Sequence, residues 1–454
     1  MAKYTKYNGR RKPELLEATT YSLENYREAD SVAADFKVIA EKAEAIYKQL
    51  PQGQKDAFYE LVLYPTKASA VVTQLNVTVG KNRLYASQGR ASTNGLAEQA
   101  RALFRSDAEL SRAYNHALAQ GKWNHMMDQT HIGYTSWNEP PANTMPKVVV
   151  LDLPRAASMG VAVEGSALAW PGANVPAKLP QFDIFRQQRF YVDIFNRGQS
   201  PFDFIVNANA PWIVASEAKG RVRRERRIWI SVDWGRAPEG SASGSLTITS
   251  DSGQTVSAEV NAFRPAARDE TPWDGFVESN GYVSIEAAHY ASKSPGRSAQ
   301  WEEIEDLGRT LSAMTIFPVT AESLISTELS PRLEYKMYLF DAGSARVDAI
   351  VDPTRNFVPG RGLRYAVSFD DETPQIVDLL ANDNQQAWET SVKDSARIGR
   401  STHTIASPGH HTLKIWMVDP GVVLQKFVVD LGGVKPSYLG PPESYFRRAG
   451  PSSP

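Results

Sequence analysis

From Thr19 to about Leu118, apolar positions recur at helical spacing. In "TTYSLENYREADSVAADFKVIAEKAEAIYKQL" they fall at Ala33, Phe36, Ala40, Ala43, Tyr47 and Leu50, widened by Val32, Ile39 and Ile46. Pro51 and Gly53 end this helix. A second carries Phe58, Leu61 and Val62, is interrupted at Pro65, and resumes through Ala68, Val71, Val72, Leu75 and Val79. A third carries Leu96, Ala100, Leu103 and Phe104. A fourth is expected to start at a Ser106-Asp107 cap and to run through Leu110, Tyr114 and Leu118 to a C-cap at Gly121. Short connections make the neighbours antiparallel, so residues 1–145 read as a helical bundle.

After Pro146 the period changes to two. "KVVVLDL", "GVAVEG", "RFYVDIFN", "FDFIVNA", "RIWISVDW", "SLTITS" and "VSAEVN" read as short strands between Gly, Pro, Asn and Ser turns. Seven strands over 146–262 predict an immunoglobulin-like β-sandwich. "FRPAARDETPWDG", 263–275, is a linker by composition. In 276–433, "YVSIEAAHY", "LEYKMYLF", "ARVDAIVD", "RYAVSFDDE", "STHTIASPGHHTLKIWMVD" and "VLQKFVVDLGG" predict a jelly-roll β-sandwich, with a helix within 378–399. Residues 434–454 are a Pro-rich tail, expected to be disordered beyond Tyr445. The fold class is a helical bundle followed by two all-β domains.

The 454 residues carry 50 Lys and Arg against 51 Asp and Glu, so no global field draws nucleic acid or an anionic membrane. With no cysteine, disulfides, zinc-thiolate sites and thiol nucleophiles are excluded. No apolar run is long enough to span a bilayer, and the opening "MAKYTKY" has no signal-peptide core. The compartment stays open.

"KWNHMMDQTHIGYTSWNEPPANTMP", 122–146, concentrates Trp123, His125, His131, Tyr134 and Trp137. Three readings compete. His125 and His131 stand six apart, which turns them to different sides of a helix and argues against a metal site. Alternatively Met126, Met127, Ile132 and Tyr134 plug the bundle while the histidines bond locally. A third reading has Tyr134 and Trp137 offer ring faces to a sugar or a neighbouring domain. "KGRVRRERR", 219–227, suits a charged edge strand better than nucleic acid. "FDDETP" (Asp370, Asp371, Glu372) and "WEEIEDLGRT" (with Glu302) are acidic turns lacking a calcium-loop pattern. No pair among them can be assigned as acid and base.

Longer strings carry a resemblance. "YNGRRKPELLEATTYSLENYREA", "DAFYELVLYPTKA", "KNRLYASQGRASTN", "GKWNHMMDQTHIGYTSW", "GRGLRYAVSFDDETPQIVDL" and "HHTLKIWMVDPGVVLQKFVVDLGGVKPSYLGPPES" resemble the C-terminal half of glycoside hydrolase family 115, the xylan α-1,2-glucuronidases. That resemblance implies a catalytic barrel preceding this region and holding the catalytic carboxylates, so no catalytic residue is carried over. It implies as partners the absent N-terminal catalytic domains, xylan or glucuronoxylan, and a second subunit. The opening "KYTKYNGRRKPE" resembles the barrel's exit, giving 1–12 that role. Trp123, His125, His131, Tyr134 and Trp137 would then serve the barrel interface or the rim of the substrate cleft. Two rivals remain: a self-sufficient hydrolase using Asp370, Asp371 or Glu302, and a stand-alone binding module.

The last domain also resembles carbohydrate-binding modules of families 6 and 35, through "YVSIEAAHY" and Asp430. The resemblance implies a structural calcium with Glu286 and Asp430 as candidate ligands. Ala288 stands where a second acid is usual, which weakens that expectation.

Overall fold

The computed structural model describes residues 1–266, 274–324 and 330–447. The chain divides into two compact units, Pro13–Asp269 and Met1–Lys12 with Glu270–Pro454. A short helix, α1 (Ala2–Asn8), opens the chain. In the first of the two units, α2 (Glu28–Gln49), α3 (Gln52–Phe58), α4 (Tyr64–Ser87) and α5 (Thr93–Arg112) form the bundle, with α4 packed on α2 and α5. Its small core joins Val72, Leu75 and Val79 to Ala100 and Ile132. Gly80 is needed where the loop before α2 crosses α4, since a Cβ there would lie 2.5 Å from the carbonyl oxygen of Ala18.

Three details depart from the sequence pattern. Pro65 does not interrupt the second helix: a π turn, Tyr59–Leu63, joins α3 to α4. Pro65 falls in the first turn of α4, where a missing N–H is tolerated. The third and fourth helices are one, because α5 runs through Ser106 and Asp107 into a second π turn, Ala113–Ala117. "KVVVLDL" is extended but, among the described residues, pairs with no strand. Buried Asn82 accepts from the N–H of Val149 and donates to its carbonyl, and Asn94 does the same for Leu151. Alternate residues of this strap therefore bond to helix side chains, which gives the same period of two.

The sandwich of this unit holds β1 (Met159–Val163), β2 (Ala177–Lys178), β3 (Phe182–Asp183), β4 (Phe190–Asn196), β5 (Phe202–Ala208), β6 (Ile213–Ala215), β7 (Lys219–Val222), β8 (Glu225–Val232), β9 (Gly240–Ser250) and β10 (Thr255–Arg264). One sheet runs β1-β4-β8-β6; the other runs β2-β10-β9-β5-β7, with β3 also on β10. Met159, Val161, Ile194, Ile228, Ile230, Leu246 and Ile248 fill the space between them. The basic run 219–227 spans edge strand β7 and the start of β8. Its Arg226 pairs with Glu217 at 2.8 Å and its Arg227 with Asp193 at 2.7 Å.

Buried charge fastens bundle to sandwich. Arg90, 3% exposed and stacked 3.9 Å from the Tyr85 ring centroid, reaches Asp193 of β4 at 2.9 Å. Arg27, in the left-handed region just before α2, grips Glu164 through Nε and Nη2 at 2.7 and 2.8 Å.

The second unit holds β11 (Gly275–Val277), β12 (Tyr282–Glu286), β13 (Ser292–Ser294), β14 (Gln300–Ile304), β15 (Ala313–Phe317), β16 (Arg332–Leu339), β17 (Gly343–Val351), β18 (Arg364–Phe369), β19 (Gln375–Asp378), α6 (Gln385–Asp394), β20 (Arg397–Ile405), β21 (Gly409–Met417), β22 (Val423–Asp430) and β23 (Phe446–Arg447). One sheet runs β19-β18-β21-β16-β11-β23 with β13 on β16; the other runs β14-β15-β22-β17-β20 with β12 on β22. Trp301, Tyr335, Tyr365 and Phe427 anchor the core between them.

Residues 434–447 are no detached tail. Ser444 accepts from the N–H of Ser284 and Glu443 from that of Glu286, while β23 pairs with β11. The disorder expected beyond Tyr445 therefore does not begin at Phe446 and Arg447; 448–454 lie outside the described residues, as does most of the composition-based linker. Residues 1–12, grouped by the sequence with the bundle, make their contacts with this unit instead. Lys6 pairs with Asp306, Arg11 with Asp394 at 2.7 Å, and Arg10 Nε donates to the carbonyl of Arg309 at 3.1 Å. Arg10 and Arg11 are buried, because Tyr438 and α6 cover this basic stretch.

Candidate functional site

The segment after α5 leaves helical conformation at Leu118, where Ala119 and Gln120 adopt positive φ. From Gly121 it wraps the end of the bundle in a series of turns. Ile132 alone drives deeply into the helical core, at 4% exposure. Met126, expected to plug the bundle, is 58% exposed.

Asn143 fixes this path by accepting from the N–H groups of His131 and Ile132 at 2.8 and 2.9 Å. His131 Nε2 lies 2.9 Å from both carboxylate oxygens of Asp107, and Nδ1 is 3.0 Å from the carbonyl of Gln129. With acceptors on both ring nitrogens, the imidazolium is favoured. The Asp107 hydrogen bond raises the His131 pKa above its ordinary 6.5, against burial.

A second chain of polar groups starts in the π turn of α5. Buried Asn115 accepts from the N–H of Met127 at 2.9 Å and donates to Asp128 at 2.7 Å. The other oxygen of Asp128 is 2.6 Å from His125 Nδ1. His125 itself is exposed. Behind Asn115, Tyr114 meets Tyr64 with ring centroids 4.7 Å apart, and Tyr59 completes the aromatic wall. Burial pushes the Tyr59 and Tyr114 phenols above their ordinary value.

Of the five predicted residues, His125 and His131 are thus held by separate carboxylates and share no ligand-binding centre. Trp123 and Tyr134 are half-buried, and Trp137 is 44% exposed. The Lys122 ammonium sits 4.6 Å from the Trp123 ring centroid. His125 with Asp128 could hold a proton, yet it does so on an open surface.

Sequence reading missed Asp107 and Asn115. The signal for Asp107 was available: it lies seven residues after Ala100 and three after Phe104, on the buried stripe of α5.

The calcium candidates in the second unit are apart. In the β12–β22 register, Glu286 opposes Lys426 while Asp430 opposes Tyr282, four residues away, or about 13 Å. Lys426, 3% exposed, places Nζ 3.0 Å from one Glu286 oxygen, and Thr310 donates to the other at 2.7 Å. Asp430 pairs with Arg346 at 2.8 Å. Each carboxylate is thus paired with a cationic side chain. Among the described residues, no group of three or more His, Cys, Asp or Glu is placed to hold a metal ion.

The acidic turns are paired as well. Asp370 accepts from the N–H of Thr412 and lies 2.8 Å from His411; Glu372 lies 2.6 Å from His403. Asp371 is fully exposed beside Lys414, and Glu302 lies near Lys293. Among the described residues, no helix is long and apolar enough to cross a membrane.

These observations define a helical bundle with two β-sandwiches, whose candidate acids are paired or open to solvent rather than gathered in an enclosed reaction centre. Residues 275–443 match the family model described as the glycosyl hydrolase family 115 C-terminal domain. Among solved structures, the chain is similar to a family 115 4-O-methyl-α-glucuronidase with specificity for decorated arabinogalactans. The two share 14% identity at a TM-score of 0.47, over 93% of this chain and 37% of the other. This chain therefore spans little more than a third of that enzyme's length. It is also similar to the C-terminal family 6 module of a Zobellia galactanivorans laminarinase, at 12% identity and TM-score 0.22, over 33% of this chain and 98% of the module. A family 35 module from Clostridium thermocellum gives 12% identity and 0.23, over 33% and 96%. None of the curated proteins compared with the chain matches it.

Proposed function

We propose that this chain is the non-catalytic C-terminal part of a family 115 xylan α-1,2-(4-O-methyl)glucuronidase. In this reading the bundle supports the catalytic barrel, the aromatic segment 122–146 meets that barrel or the rim of its cleft, and the last sandwich contacts xylan. The observation that carries it is the family match over residues 275–443. The pairing of Asp370 and Glu372 with histidines, and the open setting of His125, support a contact role over catalysis.

The test is release of 4-O-methylglucuronic acid from glucuronoxylan, by the purified chain alone and after addition of the family's barrel portion. No release alone, with release restored or increased by the barrel, is the expected result. Turnover by the chain alone that vanishes on Asp370→Asn, Asp371→Asn or Glu302→Gln would overturn the proposal in favour of a self-sufficient hydrolase. Retardation of the chain in xylan-containing gels measures the binding part separately.

A further inference from the structure

Segment 147–153, which leads from the bundle into the first sandwich, uses only one edge of its backbone. Asn82 and Asn94 each accept from the N–H and donate to the carbonyl of one residue, Val149 and Leu151 respectively. Arg83 donates to the carbonyl of Lys147, and Gln199 to that of Leu153. All of these are odd-numbered residues. In an extended chain the peptide groups of alternate residues point to opposite edges. Those of Val148, Val150 and Asp152 therefore turn away from the helices, and among the described residues nothing bonds to them. Such an edge is a template for another strand.

The side chains leave the edge open as well. Val149 and Val150 stand on opposite faces of the segment, yet they are 40% and 55% exposed, so neither face is covered there. The usual guards of a free edge, a proline or a charge in the middle of the run, do not occur between Lys147 and Asp152.

We propose that this edge pairs with the same edge of a second copy of the chain, antiparallel about a twofold axis at Val150. The sequence is self-complementary in that register. Val150 faces its own counterpart and Val148 faces Asp152, and each facing pair exchanges two hydrogen bonds. Val149 faces Leu151 on both sides of the axis, which makes one face of the ribbon apolar at its centre. The antiparallel direction also brings Lys147 of each copy to the end where the other carries Asp152, so opposite charges meet. A foreign strand would find the same backbone groups without this matched pattern of valines and charged ends. The pairing needs neither a barrel nor xylan, and so goes beyond a role in supporting a catalytic domain.

Sedimentation velocity of the whole chain from about 5 to 500 μM provides the test. The contact is small, so a reversible dimer with a dissociation constant on the order of 100 μM is expected. Val150→Pro removes the donor at the axis without touching an intramolecular bond, while Val150→Lys or Val150→Glu sets like charges against each other there. Each variant should melt like the wild type and weaken dimerisation about tenfold or more. Mixing the Lys and Glu variants should restore the dimer, because unlike charges then meet at the axis. A wild type that stays monomeric across the whole range overturns the proposal. So does a variant that melts normally and dimerises as tightly as the wild type. If Val150→Pro lowers the melting temperature, the Lys and Glu variants decide alone. A mixture of those two that associates no more tightly than either by itself overturns the pairing about Val150.

Discussion

His131 Nε2 lies 2.9 Å from both oxygens of Asp107, and this clamp ties a turn-rich segment to the middle of α5. The folded state favours the charged imidazole, so its pKa is raised above the ordinary 6.5. Its contribution is then fully present below about 6.5 and is lost as pH rises through the raised folded value. Thermal melts from pH 5 to 9 should show a stability decline in the wild type that His131→Gln flattens. Asp107→Asn should cost about 2 kcal/mol at pH 6, as expected for a hydrogen bond to a charged group. A wild-type-like melt for that variant would show that the clamp does not stabilise the fold.

The joint between bundle and first sandwich should be more sensitive still. Asp193 is 4% exposed and receives both Arg90 and Arg227, which hold its carboxyl below the ordinary range despite burial. Asp193→Ala leaves two guanidinium groups facing one another, with only Glu225, 3.6 Å from Arg90, as a counter-charge. A loss of about 3–5 kcal/mol is expected from breaking a buried pair on one side. Replacing Arg90, Asp193 and Arg227 together with Met, Leu and Met should cost less than Asp193→Ala alone. Chemical denaturation of the wild type and the two variants decides it.

The fold was largely legible because each architecture writes its own period into the chain. Strands such as β5, β8, β10, β16 and β20 alternate as read, while β1, β12 and β22 are buried on both faces, and the helix proposed in 378–399 is α6. What failed was local. A carboxylate after Ser106 looks like a helix cap until a histidine 24 residues later is known to face it. Val149 and Leu151 alternate like a strand because their partners, Asn82 and Asn94, sit on helices. The buried Arg10 and Arg11 could not be told from solvated ones, since Asp394 and Tyr438 are hundreds of residues away. The candidate surface was legible as a concentration of aromatics, but its internal pairing depended on such distant contacts.

Two buried carboxyls set a pH dependence in the second unit. Burial pushes Glu278 up to about 7 from its ordinary 4.5, with Asp341 adding to the rise and two backbone N–H groups opposing it. Asp352, held by Gln425 through one oxygen only, is pushed by burial up to about 6. Between the ordinary and the raised values the folded chain binds more protons than the unfolded one. Stability therefore falls as pH rises from about 4.5 to 7. Glu278→Gln should remove much of that slope and stabilise the protein at pH 8 relative to wild type. Melting curves that stay flat over this range, or a variant that steepens them, would contradict the assignment.

The last prediction concerns calcium. In the β12–β22 pair, the buried Lys426 ammonium takes the place beside Glu286 that a cation would need, and it also reaches the carbonyl of Pro441 at 3.2 Å. Asp430 is about 13 Å along the ladder and paired with Arg346. Calcium would have to displace a paired ammonium, leaving a buried positive charge uncompensated. Millimolar calcium or excess chelator should consequently leave the melting temperature of the wild type unchanged. Lys426→Met frees the Glu286 carboxylate and should destabilise the unit by about 3 kcal/mol, again the cost of breaking a buried pair. A melting temperature that rises by several degrees with calcium in the wild type would show that Lys426 yields its place to the metal.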